Sequence, residues 1–371
     1  MSHTVHEKRR RVLFLVDKSG FGGIQTIAYT LIERGLSDDL EMFFLFLRNI
    51  NHRFKMADIS KSNVHYSKAV RRYSLLPFLD LFRLVSGKQI DIIHLNGNKS
   101  VIFGVLLKVL FFSHLKLVAH EHGGVFDYTR WYPLFLNLSR RWIDVFVTVS
   151  NYRKEFLVSR SHADPDKVCV INNFVDPLRL GAITSDEARM NEKRGDRFVI
   201  GFVGGLSKIK GCDVLIRAIP IVSAEIQNLS VVIAGDGPAR HELESLAEDL
   251  GVSDLIVFLG FVEQPGAVYA GFDLMVIPSR GEEGPICLYE AWLTGLPVVA
   301  SNARVMDERI RDGETGIFFE SENSEDLAEK ILQIYKNPEM KARIRDGGLQ
   351  EVSAHSVERY LHSLRQLYTT L

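Results

Sequence analysis

The segment PSRGEEGPICLYEA, residues 278–291, follows a predicted strand that ends near Ile277 and leads into a predicted helix that begins near Ile286. The first amide groups of a helix have no partner inside it and carry partial positive charge, so this helix start suits a phosphate group. Glu282 and Glu290 lie eight positions apart, and each carboxylate can accept hydrogen bonds from ligand hydroxyls. Two glutamates near a helix start are also compatible with a cap or with surface charge.

Strand-like apolar runs alternate with helical patterns around this segment, which predicts parallel strands joined by crossover helices. The runs form two series, and we interpret the polar stretch 184–197 between them as an interdomain linker. The predicted strands cover residues 12–16, 42–47, 90–95, 115–119, 145–149 and 168–171, then 199–203, 229–234, 256–259, 274–277, 298–300 and 317–319. The sequence therefore predicts two doubly wound α/β domains. Because ligands bind at the carboxyl ends of such strands, we expect the active site in the cleft between the domains.

The length of 371 residues also favours two domains, since one hydrophobic core rarely serves more than about 250 to 300 residues. We predict one domain over residues 1–183 and a second over residues 184–354. The composition, 46% hydrophobic and 25% charged, is typical of globular domains. A net charge of -1 does not suggest a nucleic-acid partner, which would require a basic surface.

Cysteine usage and apolar runs bear on location. Cys169, Cys212 and Cys287 lie far apart and form neither a disulfide framework nor a zinc motif, which fits a reducing cytoplasm. The basic cluster 8–11 precedes an apolar run too short for a signal peptide. The most apolar stretch, 101–112, is far below the roughly 20 residues that span a bilayer. We therefore expect a cytoplasmic protein without a transmembrane helix.

Three glycine-rich loops follow predicted strands and could bring backbone amides close to an anion. They are SGFGGIQ at 19–25, GGLSKIKG at 204–211 and GDGP at 235–238. The residues predicted to contact a phosphate are Gly22, Gly23, Gly204, Gly205, Lys208, Lys210, Gly235 and Gly237. A tight turn is the alternative for the first loop, which lacks the dinucleotide-binding spacing, and solvated surface lysines are the alternative for the second.

Taken together, these motifs resemble glycosyltransferase family 4, a family of retaining enzymes with the GT-B fold. The segment 278–291 resembles the family's E-x7-E motif, with Glu282 and Glu290 as its acidic positions. The other matching stretches are FVGGLSKIKG, VVIAGDGP, VFLGFV, FDLMVIPS, GLPVVAS and DGETGIFF in the second half, and GGIQ, DIIHLNG, VAHEHGG, DVFVTVS and VINNFVD in the first. The resemblance covers nearly the whole chain. It implies two Rossmann-like domains facing across a cleft, with a C-terminal helix, within residues 355–371, that crosses back to the first domain.

The resemblance also implies roles for particular residues. Glu290 would hold the donor ribose, Glu282 the hydroxyls of the donor sugar, and Lys210 the diphosphate. The helix start after Pro285, with the backbone of Ile286 and Cys287, would hold the distal phosphate.

In the first half, His122 of VAHEHGG matches the family's histidine near the transferred sugar, and His120 is the competing register. A structural histidine is the alternative for either one. The implied catalytic residues are therefore His122, Glu282 and Lys210.

The function implied is transfer of a sugar, with retention, from a UDP- or GDP-sugar to a glycan or lipid-linked saccharide, in polysaccharide or glycoconjugate biosynthesis. The alternative is a nucleotide-sugar-binding protein, or an epimerase on the same fold, without transfer activity. No cofactor or metal is expected, because the D-x-D match at 164–166 has proline at its centre and is typical of a turn. Helix N-termini and lysine would instead stabilise the leaving group.

Some residues depart from the family's pattern. Gly205 stands where the family usually has an arginine beside the phosphate-loop lysine, and Lys208 could compensate. Gln25 replaces a glutamate, Glu283 a glycine, and Arg304 with Val305 a glycine pair. Each departure bears on the geometry of the donor site.

Basic residues flank one apolar segment of the first half. Arg71, Arg72, Arg83 and Lys88 surround residues 75–84, which could lie on the anionic inner face of a membrane. The alternative is an ordinary amphipathic helix packed on the sheet.

Overall fold

The structure is a computed structural model that describes residues 9–20, 22–48, 63–68, 74–123, 131–181, 195–282, 284–303 and 305–371. The chain divides into two compact units, one formed by residues 1–172 with 360–371 and the other by residues 173–359. Only residues 195–197 of the predicted linker are described, so the predicted boundary at residue 183 stays a prediction.

The described part of the first unit contains a seven-stranded parallel sheet. Its order is β3-β2-β1-β4-β5-β6-β7. The strands are β1 Arg10–Val16, β2 Leu40–Phe46, β3 Val64–Tyr66, β4 Ile92–Asn96, β5 Lys116–Glu121, β6 Val145–Thr148 and β7 Val168–Val170. The predicted strands are confirmed. Residues 12–16 of the interior strand β1 are fully buried, as expected for a parallel strand covered on both faces.

The helices of the first unit include the end of the described chain. They are Gly23–Arg34, Leu76–Lys88, Asn98–Leu110, Trp131–Ser139, Asn151–Ser161 and Val357–Thr370. The last helix buries Val357, Tyr360, Leu364 and Tyr368, which recur about every four residues. The predicted helix within residues 355–371 is therefore confirmed, and residues 360–371 belong to the first unit.

The described part of the second unit contains a six-stranded parallel sheet with the order β10-β9-β8-β11-β12-β13. The strands are β8 Phe198–Val203, β9 Leu229–Ala234, β10 Ile256–Gly260, β11 Leu274–Ile277, β12 Val298–Ser301 and β13 Ile317–Phe319. Its helices are Pro177–Leu180, Cys212–Glu225, Arg240–Asp249, Gly266–Ala270, Ile286–Leu293, Ser324–Lys336 and Pro338–Glu351. The loops after β8, β9 and β11 lie at the carboxyl edge of this sheet, where α/β folds bind ligands.

The helix Leu76–Lys88 has two different faces. Leu81 and Val85 are buried against the core, whereas Leu75, Leu76 and Leu79 are exposed. The segment therefore packs on the domain and also presents leucines to its surroundings. Arg71 and Arg72 lie outside the described residues.

Two further observations concern the described residues. None of their helices combines the length and the hydropathy that crossing a membrane requires. Asp164 caps a turn of 3-10 helix, Pro165–Lys167, through a 3.1 Å hydrogen bond from the amide of Asp166, which confirms the predicted turn.

Candidate active site

Two glycine loops of the second unit pack backbone against backbone. A Cβ atom on Gly235 would lie 1.8 Å from the carbonyl oxygen of Gly204, and one on Gly237 would lie 2.3 Å from that of Leu206. The amide of Leu206 also donates to the carbonyl of Asp236 at 3.0 Å. Gly235 and Gly237 are therefore required by packing, which fixes the loop 204–211 in place.

The same loop is held from its other side by the segment after β11. Gly211 has a φ of 64°, and a Cβ atom there would lie 1.9 Å from the carbonyl oxygen of Pro278. The amide of Arg280 donates to the carbonyl of Ile209 at 2.8 Å. The two predicted parts of the donor site, residues 204–211 and 278–291, are thus in direct contact.

Arg280 reinforces this contact with its side chain. Its guanidinium donates to both carboxylate oxygens of Asp213, at 2.8 and 2.7 Å, and to the carbonyl of Lys208 at 2.6 Å. Paired hydrogen bonds of this kind fix orientation as well as distance. Arg280 is not among the residues predicted from the sequence, because its partners lie about 70 residues away along the chain.

Lys210 and Glu282 form an ion pair at the junction of the two segments. The Lys210 ammonium donates to Oε1 of Glu282, and the hydroxyl of Ser279 donates to the same oxygen at 2.8 Å. Only 8% of the Glu282 side chain is exposed, against 30% for Lys210. Burial alone would lower the pKa of Lys210, but the charge of Glu282 raises it, so the lysine is a cation. Among the described residues, Oε2 of Glu282 has no hydrogen-bond partner.

Lys208 and Gly205 differ from their neighbours in the loop. The side chain of Lys208 is 85% exposed and lies 3.9 Å from Glu242, at the surface. Gly205 is also exposed, and a Cβ atom there would have only the carbonyl oxygen of Asp236 nearby, at 4.0 Å. The missing arginine at this position is therefore not explained by a lack of space.

The helix Ile286–Leu293 carries the second glutamate. The hydroxyl of Tyr269, which is fully buried, donates to Oε2 of Glu290 at 2.8 Å. Burial raises the pKa of Glu290, whereas this hydrogen bond and the charge of Arg179 oppose the rise. Tyr269 thus orients the carboxylate and favours its ionised form. Sequence reasoning missed this tyrosine, since an aromatic residue in an apolar helix is typical of any core.

The start of the same helix has features that suit an anion. Pro285 is its N-cap, and no side chain of the described residues caps the first amides. Gly284 has a φ of 134°, and its carbonyl accepts a hydrogen bond from Asn173 at 2.7 Å. Burial, followed by the charge of Glu282, raises the pKa of the Cys287 thiol, which is therefore neutral.

In the first unit, His122 directly follows β5 and is partly exposed. Its Nε2 lies 2.8 Å from Oδ1 of Asn96, and its ring stacks on that of His120 at a centroid distance of 3.8 Å. Burial lowers the pKa of His122 to about 3. His120 is buried in a hydrogen-bonded chain that continues through His94 to the hydroxyl of Tyr368, with distances of 3.0 and 2.7 Å. Of the two candidate histidines, His120 is buried and His122 is partly exposed, so only His122 is accessible to a ligand.

The first glycine loop is organised around Gln25. A Cβ atom on Gly22, which has a φ of 145°, would lie 2.7 Å from Oε1 of Gln25. Nε2 of Gln25 donates to the carbonyl of Lys18 at 3.0 Å. A glutamate at position 25 could not donate this bond, which gives a physical reason for the departure. Gly23 is the first residue of the helix Gly23–Arg34.

Two other departures are Glu283 and the pair Arg304 with Val305. Glu283 and Arg304 lie outside the described residues. Val305 has a φ of 76°. The left-handed conformation is unfavourable for a β-branched residue and favours glycine, the residue that the resemblance leads us to expect there.

Comparisons with known proteins match both halves of the chain. A family model described as glycosyl transferases group 1 matches residues 184–350, and one described as glycosyltransferase family 4 matches residues 21–179. An uncharacterized glycosyltransferase of Methanocaldococcus jannaschii is 38% identical over 189 residues, which cover 49% of this chain and 48% of the relative. The D-inositol 3-phosphate glycosyltransferase of Thermomonospora curvata is 29% identical, with 57% and 54% covered. The chain thus spans about half the length of these two relatives.

A third relative and a solved structure match over more of their length. The Escherichia coli UDP-Gal:alpha-D-GlcNAc-diphosphoundecaprenol alpha-1,3-galactosyltransferase is 22% identical, and the alignment covers 78% of each chain. The structure of Anabaena HepE in complex with UDP and glucose superposes with a TM-score of 0.84 at 21% identity, covering 97% of this chain and 99% of that one. The structural match shows that the two chains have the same fold.

Proposed function

Since the chain belongs to the glycosyltransferases of group 1 and family 4 and has the GT-B fold, we propose that it transfers a sugar from a nucleoside diphosphate sugar to a glycan or lipid-linked saccharide. The proposal includes retention of the anomeric configuration and a UDP- or GDP-sugar as donor. The observation that carries it is the ion pair between Lys210 and the buried Glu282, which lies where the loop 204–211 meets the segment that leads to Glu290. A binding protein or epimerase without transfer activity is the alternative.

The proposed mechanism assigns one task to each group. Glu290 accepts hydrogen bonds from the ribose hydroxyls, and Oε2 of Glu282 accepts one from the sugar. When the bond between the sugar and the diphosphate breaks, negative charge grows on the leaving phosphate. Lys210 and the amides at the start of Ile286–Leu293 stabilise this charge, because they are fixed in place before the reaction begins. In this proposal, protein groups stabilise the leaving phosphate, as a metal ion does in metal-dependent enzymes.

Two similarities support the proposed substrates. HepE was solved with UDP and glucose, which supports a UDP-sugar as donor. The Escherichia coli relative is named for a diphosphoundecaprenol acceptor, which supports a lipid-linked saccharide.

A binding screen followed by a transfer assay tests the proposal. UDP, GDP and ADP are titrated against the protein by calorimetry, and the sugar derivatives of the nucleotide that binds are then incubated with saccharide acceptors. We expect one nucleotide to bind, and we expect release of that nucleotide with formation of a glycosylated product, unchanged after exhaustive chelation. Binding without release would favour the binding-protein alternative. Loss of turnover with EDTA and rescue by magnesium or manganese would contradict the metal-free mechanism.

Two buried tyrosines of the second unit give a matched test of the assignment of Glu290. We expect Tyr269→Phe to weaken nucleoside diphosphate binding about three- to tenfold, since Glu290 loses a hydrogen bond. Loss of this hydrogen bond raises the pKa of Glu290 further, so the carboxylate is protonated at a higher pH. The pH below which nucleotide binding weakens should therefore be higher in Tyr269→Phe than in the wild type. Tyr289→Phe is the control, because the Tyr289 hydroxyl has no hydrogen-bond partner among the described residues. Equal effects of the two variants would remove the assignment.

We also propose peripheral contact between the first unit and the inner face of a membrane. The helix Leu76–Lys88 carries the exposed Leu76 and Leu79, and the exposed Leu75 directly precedes it. Phe82 of the same helix packs on the ring of Phe111, which is also exposed, at a centroid distance of 5.2 Å. The exposed side chain of Arg83 lies on the same helix and suits anionic headgroups.

Sedimentation with lipid vesicles tests this contact. We expect binding to anionic vesicles, little binding to neutral ones, and loss of binding in the double variant Leu75→Asp, Leu79→Asp. Leu349→Asp is the control, since Leu349 is an exposed leucine of the second unit. If both variants bind as wild type does, the proposed surface is wrong.

A further inference from the structure

We infer that Asn96 is a positioning residue that holds His122 in the tautomer with its proton on Nε2, so that Nδ1 accepts the hydrogen bond from a ligand hydroxyl. The catalytic meaning of this inference rests on the proposed function. The tautomer itself does not, and it can be measured on the free protein.

The first step is the orientation of the Asn96 side chain. Asn96 is the last residue of β4 and is fully buried. Its Nδ2 donates to the carbonyl oxygens of Leu15, at 3.2 Å, and of His94, at 3.4 Å. Carbonyl oxygens only accept hydrogen bonds, so the amide nitrogen must face them. Oδ1 of Asn96 therefore points to the other side, toward His122.

The orientation of Asn96 determines which nitrogen of His122 carries the proton. Oδ1 of an asparagine can only accept, so Nε2 of His122, 2.8 Å away, must donate. A neutral imidazole has one N–H group, which leaves the lone pair on Nδ1. Among the described residues, no hydrogen-bond partner meets Nδ1. The available nitrogen of this ring is thus an acceptor.

The third step is the orientation of the ring. The ring of His120 stacks on that of His122 at a centroid distance of 3.8 Å. His120 is itself hydrogen-bonded to His94, whose ring is hydrogen-bonded to the hydroxyl of Tyr368. The imidazole of His122 is therefore fixed by a hydrogen bond at one edge and by a buried ring on one face. A hydroxyl that approaches Nδ1 meets a preorganised acceptor, which is what transfer chemistry near a sugar requires.

Nitrogen NMR on protein labelled with ¹⁵N-histidine tests the inference directly. The signals of His122 are assigned by their absence in His122→Gln. We expect the wild type to show a protonated Nε2 and an unprotonated Nδ1 at neutral pH. We expect Asn96→Ala to give a mixture of both tautomers. Asn96→Asp keeps an acceptor and should restore the wild-type tautomer, with a higher pKa for His122 because the added carboxylate favours the imidazolium form.

Kinetics supply the second readout. We expect Asn96→Ala to lower kcat by about tenfold while the KM for the donor stays within about twofold, because all the predicted donor residues except Gly22 and Gly23 lie in the second unit. The matched control is Asn98→Ala, two residues further along the chain, which should leave the signals of His122 unchanged.

Each outcome decides the inference. A proton on Nδ1 in the wild type would overturn it, as would an unchanged tautomer and kcat in Asn96→Ala. If Asn96→Ala does not fold, the wild-type spectrum and Asn96→Asp still decide. If the tautomer is as inferred but no transfer is found under any condition, the proposed function fails and the assignment of Asn96 stands.

Discussion

Replacing Lys210 by alanine is expected to lower turnover by roughly ten- to a hundredfold, whereas Lys208→Ala should leave it within about twofold. Lys210 is partly buried beside Glu282, where a charge acts strongly on a neighbouring phosphate. The side chain of Lys208 lies at the surface, and only its backbone carbonyl is bound in the site, by Arg280. Steady-state kinetics with the correct donor and acceptor measure both effects.

The fold of the variant must be checked separately. Removing the lysine leaves Glu282 buried without its partner, which costs about 3 kcal/mol or more in typical cases. Lys210→Arg keeps the charge and serves as the control for folding. If Lys208→Ala proves the more damaging change, the two lysines have exchanged roles and the present assignment is wrong.

The second large effect is expected for Gly211→Ala, which should lower the free energy of unfolding of the second unit by about 2 to 5 kcal/mol. The added methyl group would lie 1.9 Å from the Pro278 carbonyl oxygen, and the φ of 64° is unfavourable for alanine. Because this oxygen belongs to the backbone, the two loops must move apart. Urea unfolding followed by the fluorescence of Trp292, the buried tryptophan of the second unit, measures the change.

Gly205→Ala is the matched control in the same loop. Its Cβ atom would have no neighbour closer than 4.0 Å, so we expect a change within about 0.5 kcal/mol. Similar destabilisation by the two substitutions would show that the loop is not held as described.

The strands could be predicted because their signal is local. The composition of apolar runs such as residues 12–16 and 274–277 is enough to predict buried parallel strands. The strand β3, Val64–Tyr66, was missed because it has only three residues and lies partly exposed at the sheet edge. Such a segment has too little apolar surface to stand out.

The candidate site could be predicted only in part. The glycines, lysines and glutamates of the site could be recognised by residue type and spacing, and the family resemblance implied their roles. The residues that hold these side chains in place could not be predicted in this way. Arg280, Tyr269 and Asn96 act through contacts with residues about 20 to 80 positions away. Sequence reasoning also assigned Gly235 and Gly237 to phosphate binding alone, whereas both are needed where two backbones touch.

The placement of residues 360–371 in the first unit has a consequence for biosynthesis. The guanidinium of Arg10, in β1, donates to the carbonyl of Tyr368 at 2.7 Å, and the Tyr368 hydroxyl meets His94 in β4. On the ribosome, the strands of the first unit emerge early, but nearly 200 further residues are made before the helix whose Tyr368 contacts His94. The second unit lies within that interval and can fold first. The nascent chain thus carries an uncovered apolar sheet face during translation, the kind of surface that chaperones bind.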